Sequence, residues 1–170
     1  MLSDVRDVIF QDDPFAGVNG GLLVSMENFD LTIGAEDFNR GWVLDAYGQD
    51  MLDRIGGCYI SCSGVTLGDM ESIKGYVDKM LGEICKQPFK KMRNRIYDQA
   101  FHNKLLHCGE LASVVPCFSL QSNIATLGCM SMGEIGLSND GKVLNRDGTI
   151  VPIVHQYDRH QVLVEKLLSA

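Results

Sequence analysis

Two aspartates stand three residues apart near the start of the chain, in Ser3-Asp4-Val5-Arg6-Asp7-Val8-Ile9-Phe10-Gln11, with Asp12-Asp13-Pro14-Phe15 directly after. Carboxylates held close together repel, and a divalent cation compensates them. Carboxylate oxygens are the ligands that Mg2+ and Mn2+ prefer. The same residues also suit a solvated turn between two elements. A second chemical group lies far along the chain, where His155 follows the apolar run 150–154 and Asp158 and Arg159 come shortly after. A lone histidine is more often structural than functional. Here its neighbours could orient an imidazole and pair with phosphate oxygens. Two carboxylates and one imidazole, completed by phosphates, would make a sensible cation site. Ser63-Gly64 is a third place where polar groups gather at the end of an apolar segment.

These groups need elements to position them. Val8-Ile9-Phe10 has the β-branched and aromatic character of a strand, and Pro14 closes that run. Leu22 to Met26 reads as a short buried strand after a glycine-rich turn. Apolar positions from Asp37 to Ile55 fit a helix that Gly41 and Gly48 weaken and Gly56-Gly57 ends. Cys58 to Cys62 is expected to be a strand with both cysteines on one side, turning tightly through Ser63-Gly64-Val65-Thr66-Leu67-Gly68. The clearest helix carries Ile73, Tyr76, Val77, Met80, Leu81, Ile84 and Cys85 on one face, with Asp69 as its N-cap and Pro88 as its limit. It reads as a packing helix. Ile96 to Leu106 predicts another helix, with Ile96, Ala100, Phe101 and Leu105 inward. Beyond Leu111 come short strand candidates at Val114–Cys117, Ala125–Gly128, Lys142–Leu144 and Ile150–Val154. The turns Asn139-Asp140-Gly141-Lys142 and Arg146-Asp147-Gly148-Thr149 separate the later ones, the second suiting a hairpin. Val162 to Leu168 is apolar-periodic.

The 170 residues suit one α/β domain with a real core. The formal net charge of −7 does not invite nucleic acid or an anionic membrane. No run of apolar residues is long enough for a membrane span. Lys86, Lys90, Lys91, Arg93, Arg95 and Lys104 form a basic group, read as a solvated connector or, alternatively, a patch steering an anionic substrate. The six cysteines, Cys58, Cys62, Cys85, Cys108, Cys117 and Cys129, lack zinc-site spacing and sit among apolar neighbours. They read as buried free thiols. With no secretory signal visible, a cytoplasmic or cytosol-facing setting is expected.

Taken in order, Asp-Val-Arg-Asp-Val-Ile-Phe-Gln-x-Asp-Pro-Phe, Cys-Ser-Gly-Val-Thr-Leu-Gly, Asp-Gln-Ala-x-His-Asn and Val-His-Gln-Tyr-Asp-Arg-His make the chain resemble nucleotide-sugar-dependent glycosyltransferases of the GT-A fold. The resemblance runs from Asp4 to His160. It implies a partial GT-A-like (Rossmann-like) sandwich, a mixed sheet flanked by helices. It also implies a nucleotide-sugar donor, a hydroxyl-bearing acceptor, and Mn2+ or Mg2+ held by Asp4, Asp7 and His155. The family's acidic motif separates its acids by one residue, whereas Val5 and Arg6 both intervene here. By the same resemblance Ser63 and Gly64 line the sugar pocket, with Gln99 and Arg159 also at the donor. Asp98 takes the acidic position near the reacting sugar. Such enzymes carry a nucleotide-binding unit before the acidic motif, so residues 1–170 are expected to be the C-terminal portion of a longer glycosyltransferase domain. Two other readings compete. One is a metal-dependent phosphohydrolase with Asp4 as nucleophile. The other is an inactive remnant that survives as a binding module. Cys62 as a nucleophile is the weaker thought, since the sequence indicates no base beside it.

Overall fold

A computed structural model describes residues 1–27, 30–88 and 97–167. The chain is a mixed α/β structure built on two small mixed sheets and a hairpin. The central strand is β3 (Leu22–Met26), buried along its whole length, its single polar residue Ser25 included. It pairs antiparallel with β4 (Ser61–Gly68) and parallel with β5 (Val114–Phe118), while β1 (Leu2–Ser3) adds to the far edge of β4. Pro116 is accommodated because β5 is an edge strand. The second sheet sets β9 (Ile153–His155) between β2 (Val8–Phe10), antiparallel, and β6 (Ile124–Thr126), parallel. Leu23, Val65 and Leu67 of the first sheet pack with Ile124 and Ile153 of the second, all in one buried cluster. At the same seam the Ser25 and Thr126 hydroxyls lie 2.7 Å apart.

Three helices, α1 (Asp37–Tyr47), α2 (Gln49–Ile55) and α4 (Asp98–His107), enclose a second core around Val43, Ile55, Tyr97 and Phe101. Glu36 caps α1 by accepting from the Phe38 and Asn39 amides. The helix expected over residues 37–55 is two helices, because Gly48 takes φ 85° and breaks the spiral there. The long helix α3 (Met70–Lys86) begins where expected, with Asp69 accepting from the Ser72 amide. A 17-residue amphipathic helix of this kind takes most of its stability from the face it buries. Tyr76 on that face joins Leu22, Val24 and Met26.

Lys86 and Lys104 are not a free steering patch. Both donate to the Glu83 carboxylate, at 2.6 and 3.1 Å, and Lys104 also reaches Glu110 at 2.6 Å. Tyr47 adds a fourth donor–acceptor link at 2.7 Å, so this network ties α1, α3 and α4 together. Burial pushes the Glu83 carboxyl upward, but its three donors outweigh that and hold it at about 2. Lys90, Lys91, Arg93, Arg95 and Ile96 lie outside the described residues.

The last third follows the turn signals. β7 (Gly136–Leu137) and β8 (Val143–Leu144) form a hairpin through Gly141, and Leu144 bridges Ile150 across Gly148. Helix α5 (Gln161–Leu167) packs Leu163 against Val154 and Tyr157. Among the described residues no helix is long and apolar enough to cross a membrane.

Two expectations fail together at β4. The strand starts at Ser61, not Cys58, and Ser63-Gly64 is no turn: it lies inside the strand. The β3–β4 register jumps from Val24↔Thr66 to Ser25↔Cys62, so residues 63–65 bulge without a partner on β3. Glycine in a strand pattern signals a bulge or a close approach as well as a turn. Cys58 consequently lies before the strand and half exposed, while Cys62 is buried within it. All six thiols are free, as read, but Cys85 and Cys129 are exposed rather than buried.

Candidate metal centre

The acidic stretch is the crossing between the two sheets. β1 belongs to the first sheet and β2 to the second, so residues 4–7 must step from one to the other. Backbone hydrogen bonds anchor both ends of that step. The Asp4 amide donates to the Gly64 carbonyl at 2.7 Å, and the Gln156 amide donates to the Asp7 carbonyl at 2.8 Å. Asp7 thus precedes strand β2 rather than ending a strand, and its side chain is turned inward, 7% exposed. His155 is the last residue of β9 and sits beside Asp7 because Val8 is its register partner.

The three side chains converge from opposite ends of the sequence. His155 Nε2 lies 3.4 Å from Asp4 Oδ2 and 3.8 Å from Asp7 Oδ1, and one ligand atom from each residue falls within 4.8 Å of the others. His155 is fully buried and its Nε2 has no hydrogen-bond partner among the described residues. An imidazole nitrogen in that condition is costly unless something meets it. Burial lowers the pKa of His155 from the ordinary 6.5, against the pull of Asp7 and Asp4, which favours the neutral ring. Its Nδ1 faces Thr126 Oγ1 at 3.4 Å and Cys62 Sγ at 3.7 Å. A proton on Nδ1 leaves the Nε2 lone pair directed at the two carboxylates, the arrangement of a metal-bound histidine. Burial also raises the Asp4 carboxyl; His155 lowers it, while Asp7 and Asp98 push it further up. Hard carboxylate oxygens with one imidazole suit Mn2+ or Mg2+. The Asp4 side chain is 53% exposed and opens the cluster to solvent.

Gly64 underlies this geometry. A β-carbon there would meet the His155 ring, falling 2.5 Å from Nε2, and would lie 2.9 Å from Asp4 Oδ2. Gly64 therefore supports the imidazole from beneath through its bare α-carbon. Next to it, Ser63 Oγ donates to Asp98 Oδ2 at 3.2 Å, which brings the first residue of α4 to the same bulge. Asp98 is near enough for its charge to raise Asp4. Arg159 lies half-exposed at the rim, where it and Arg6 approach Asp158 at 3.4 and 3.7 Å. Gln99 is placed differently. Its amide nitrogen is directed to Glu27 Oε1 at 3.3 Å and Asn39 Oδ1 at 3.0 Å, on the other side of Cys62.

Several contributors escaped the sequence reading. Thr126 and Cys62 hold the far side of the imidazole, and only the pairing of β6 with β9 brings Thr126 there. Glu27 follows the buried strand β3 directly; an acid at the end of an apolar run was the available signal. A base does stand beside Cys62, namely His155. Complete burial nevertheless pushes the thiol well above its ordinary 9.0, with Glu27 adding to the effect, so it remains protonated. His102 is a buried structural group. Ser61 Oγ donates to the Ser25 carbonyl at 3.0 Å, so His102 Nε2 must donate to Ser61 Oγ at 2.8 Å while Nδ1 accepts from Tyr76 Oη at 2.8 Å. Burial lowers its pKa to about 3.

No family model, curated protein or solved structure matches this chain.

Proposed function

We propose that this chain carries the cation-binding portion of a nucleotide-sugar-dependent glycosyltransferase with a partial GT-A-like fold, transferring a sugar from a nucleoside diphosphate to a hydroxyl acceptor. One observation carries the reading: Asp4, Asp7 and a buried His155 with an unmet Nε2 converge where the two sheets join. The order of the four motifs supports it. Asp4, Asp7 and His155 would hold Mn2+ or Mg2+. When bound, the cation supplies positive charge against the diphosphate as it leaves. Arg159, at the rim, adds a guanidinium for phosphate oxygens. Ser63 keeps Asp98 oriented through its hydroxyl. In an inverting transfer Asp98 accepts the proton of the acceptor hydroxyl, and in a retaining one it stabilises the positively charged sugar.

The test is calorimetric titration with Mn2+ and then with a panel of nucleoside diphosphates. Wild-type protein is expected to bind Mn2+ and to bind a diphosphate only in its presence. Asp7→Asn should weaken both by about tenfold or more, the usual scale for loss of a ligand or its support. Diphosphate binding that ignores Mn2+, or none at all, would overturn the proposal. Phosphate release from a generic phosphoester would move the reading to the phosphohydrolase class.

A further inference from the structure

Among the apolar side chains that join the two sheets sit two buried hydroxyls, Ser25 and Thr126, neither of them a ligand of the cation site. Each reaches the seam as one of a register pair. Ser25 lies opposite Cys62 because the bulge shifts the β3–β4 register there; continued from Val24↔Thr66, the ladder would have set Val65 opposite it. Thr126 lies opposite His155 on the neighbouring parallel strand. Register partners share a face of their sheet, so the two pairs meet across the seam. The Ser25 and Thr126 hydroxyls are 2.7 Å apart, Thr126 Oγ1 is 3.4 Å from His155 Nδ1, and Cys62 Sγ is 3.7 Å from that same nitrogen. All four residues are at most 3% exposed.

This quartet decides what the imidazole offers to Asp4 and Asp7. A neutral ring carries one proton. On Nε2 it would occupy the space between the ring and the two carboxylates, 3.4 and 3.8 Å away, where a cation has to lie. On Nδ1 it leaves Nε2 bare. An N–H on Nδ1 needs an acceptor in a place closed to water. The thiol is a weak one, whereas a hydroxyl has two lone pairs and a proton of its own. Thr126 can therefore accept from Nδ1 and still donate to Ser25, and 2.7 Å is the ordinary length of such an O–H···O bond. A carboxylate would orient the ring as well, but it would bury a third negative charge beside Asp4 and Asp7. The hydroxyl pair orients it without charge.

We propose that Thr126 is the positioning residue of His155: its hydroxyl accepts a hydrogen bond from Nδ1–H, donates one to Ser25 Oγ, and so keeps Nε2 bare towards Asp4 and Asp7. The role rests on the cation-site reading above, in which Nε2 is a ligand. Ser25 acts one step further out, by giving the Thr126 hydroxyl its direction.

The experiment reads the ring-nitrogen NMR shifts of His155 in the full chain without metal, which separate a protonated nitrogen from a bare one. Electron paramagnetic resonance then follows a titration with Mn2+. In the wild type the proton is expected on Nδ1. Thr126→Val keeps the shape of the side chain and removes its hydroxyl; it should move the proton to Nε2 and weaken Mn2+ binding by about tenfold or more. Thr126→Ser keeps the hydroxyl and loses the methyl group, so it should hold both readings near wild type, a rescue that a packing role would not give. Cys62→Ala should leave the proton on Nδ1. Ser25→Ala should shift it towards Nε2, which keeps the test open where Thr126→Val disturbs folding. A wild-type proton on Nε2, a Thr126→Val protein that keeps its proton on Nδ1 or its wild-type Mn2+ affinity, or a Thr126→Ser protein no better than Thr126→Val would overturn the proposal. Thr126-dependent protonation of Nδ1 in a protein that binds no Mn2+ would uphold the positioning role and sink the cation reading. Mn2+-dependent diphosphate binding with a ring proton indifferent to Thr126 would do the reverse.

Discussion

Gly64→Ala tests the link between the strand bulge and the cation site with a single methyl group. In an unstrained strand, replacing glycine by alanine gains about 0.5–1 kcal/mol of stability, because glycine loses more chain entropy on folding. At position 64 the methyl carbon would overlap the His155 ring, closest at Cε1 and 2.5 Å from Nε2, where ordinary contact begins at 3.4 Å, so more than 0.9 Å must be found. The ring cannot move freely: it is fully buried, its backbone is in register with Val8 and Thr126, and Thr126 and Cys62 stand behind it. Overpacking of this kind costs about 1–3 kcal/mol, which reverses the sign expected for an unobstructed glycine. Metal ligands tolerate displacements of only about 0.2 Å, so Mn2+ affinity should fall by about 10–100-fold. Urea unfolding measures the first quantity, and electron paramagnetic resonance of free Mn2+ measures the second. A Gly64→Ala protein that gains stability and binds Mn2+ as well as wild type would refute the placement of the imidazole over Gly64.

Two further outcomes follow from the helices. Gly82→Ala in α3 should stabilise by about 0.5–1 kcal/mol in the same urea assay, since a β-carbon there meets nothing within 4 Å and the helix simply gains propensity. Acid should destabilise the fold in two stages. His102 binds its proton at 6.5 when unfolded and at about 3 when folded, so its contribution is complete above 6.5 and is lost as pH falls from there toward 3. At full extent that is about 4–5 kcal/mol. Glu83, held at about 2 instead of 4.5, keeps its contribution above 4.5 and loses it as pH falls toward 2. Urea midpoints should therefore decline below pH 6.5 and more steeply below 4.5. The slope between those values should be shallower in His102→Gln; an unchanged slope would rule out the buried neutral histidine.

Local chemistry made some of this readable. Residues 22–26 are apolar except for Ser25 and became the central strand, and Asp69 marks the start of α3 because an aspartate accepts a free amide there. Asp4, Asp7 and His155 were readable as types able to bind a cation, but their convergence depends on antiparallel pairing across about 150 residues of chain, which no local pattern contains. Gly64 was misread for a related reason. Its signal, a glycine among small polar residues, is the same for a turn and for a bulge. What decides between them is the imidazole delivered from β9. Gln99 was read as a donor-site residue beside Asp98, yet the helical turn directs consecutive residues to different sides: Asp98 faces Ser63, and Gln99 faces Glu27 and Asn39.

The placement of the candidate cation site also bears on why so small a pair of sheets holds together. The first sheet's contact with the second runs through an apolar cluster, the Ser25–Thr126 hydroxyl pair and the crossing at residues 4–7. The crossing brings acids to within 4 Å of an imidazole, and burial opposes charge on Asp4 and His155 alike. Without compensation, the like charge of Asp7 pushes the Asp4 carboxyl up. A cation on Asp4, Asp7 and His155 would convert that repulsion into attraction on both sides of the seam. Its binding energy then adds to folding as RT ln(1 + [L]/Kd), about 2.7 kcal/mol at a hundredfold excess over Kd. The bulge at residues 63–65 belongs to the same arrangement: it loses ladder partners on β3, and its Gly64 carbonyl instead receives the Asp4 amide. The strand irregularity, the crossing loop and the buried histidine are thus one construction, in which sheet pairing is given up locally where Asp4, Asp7 and His155 meet.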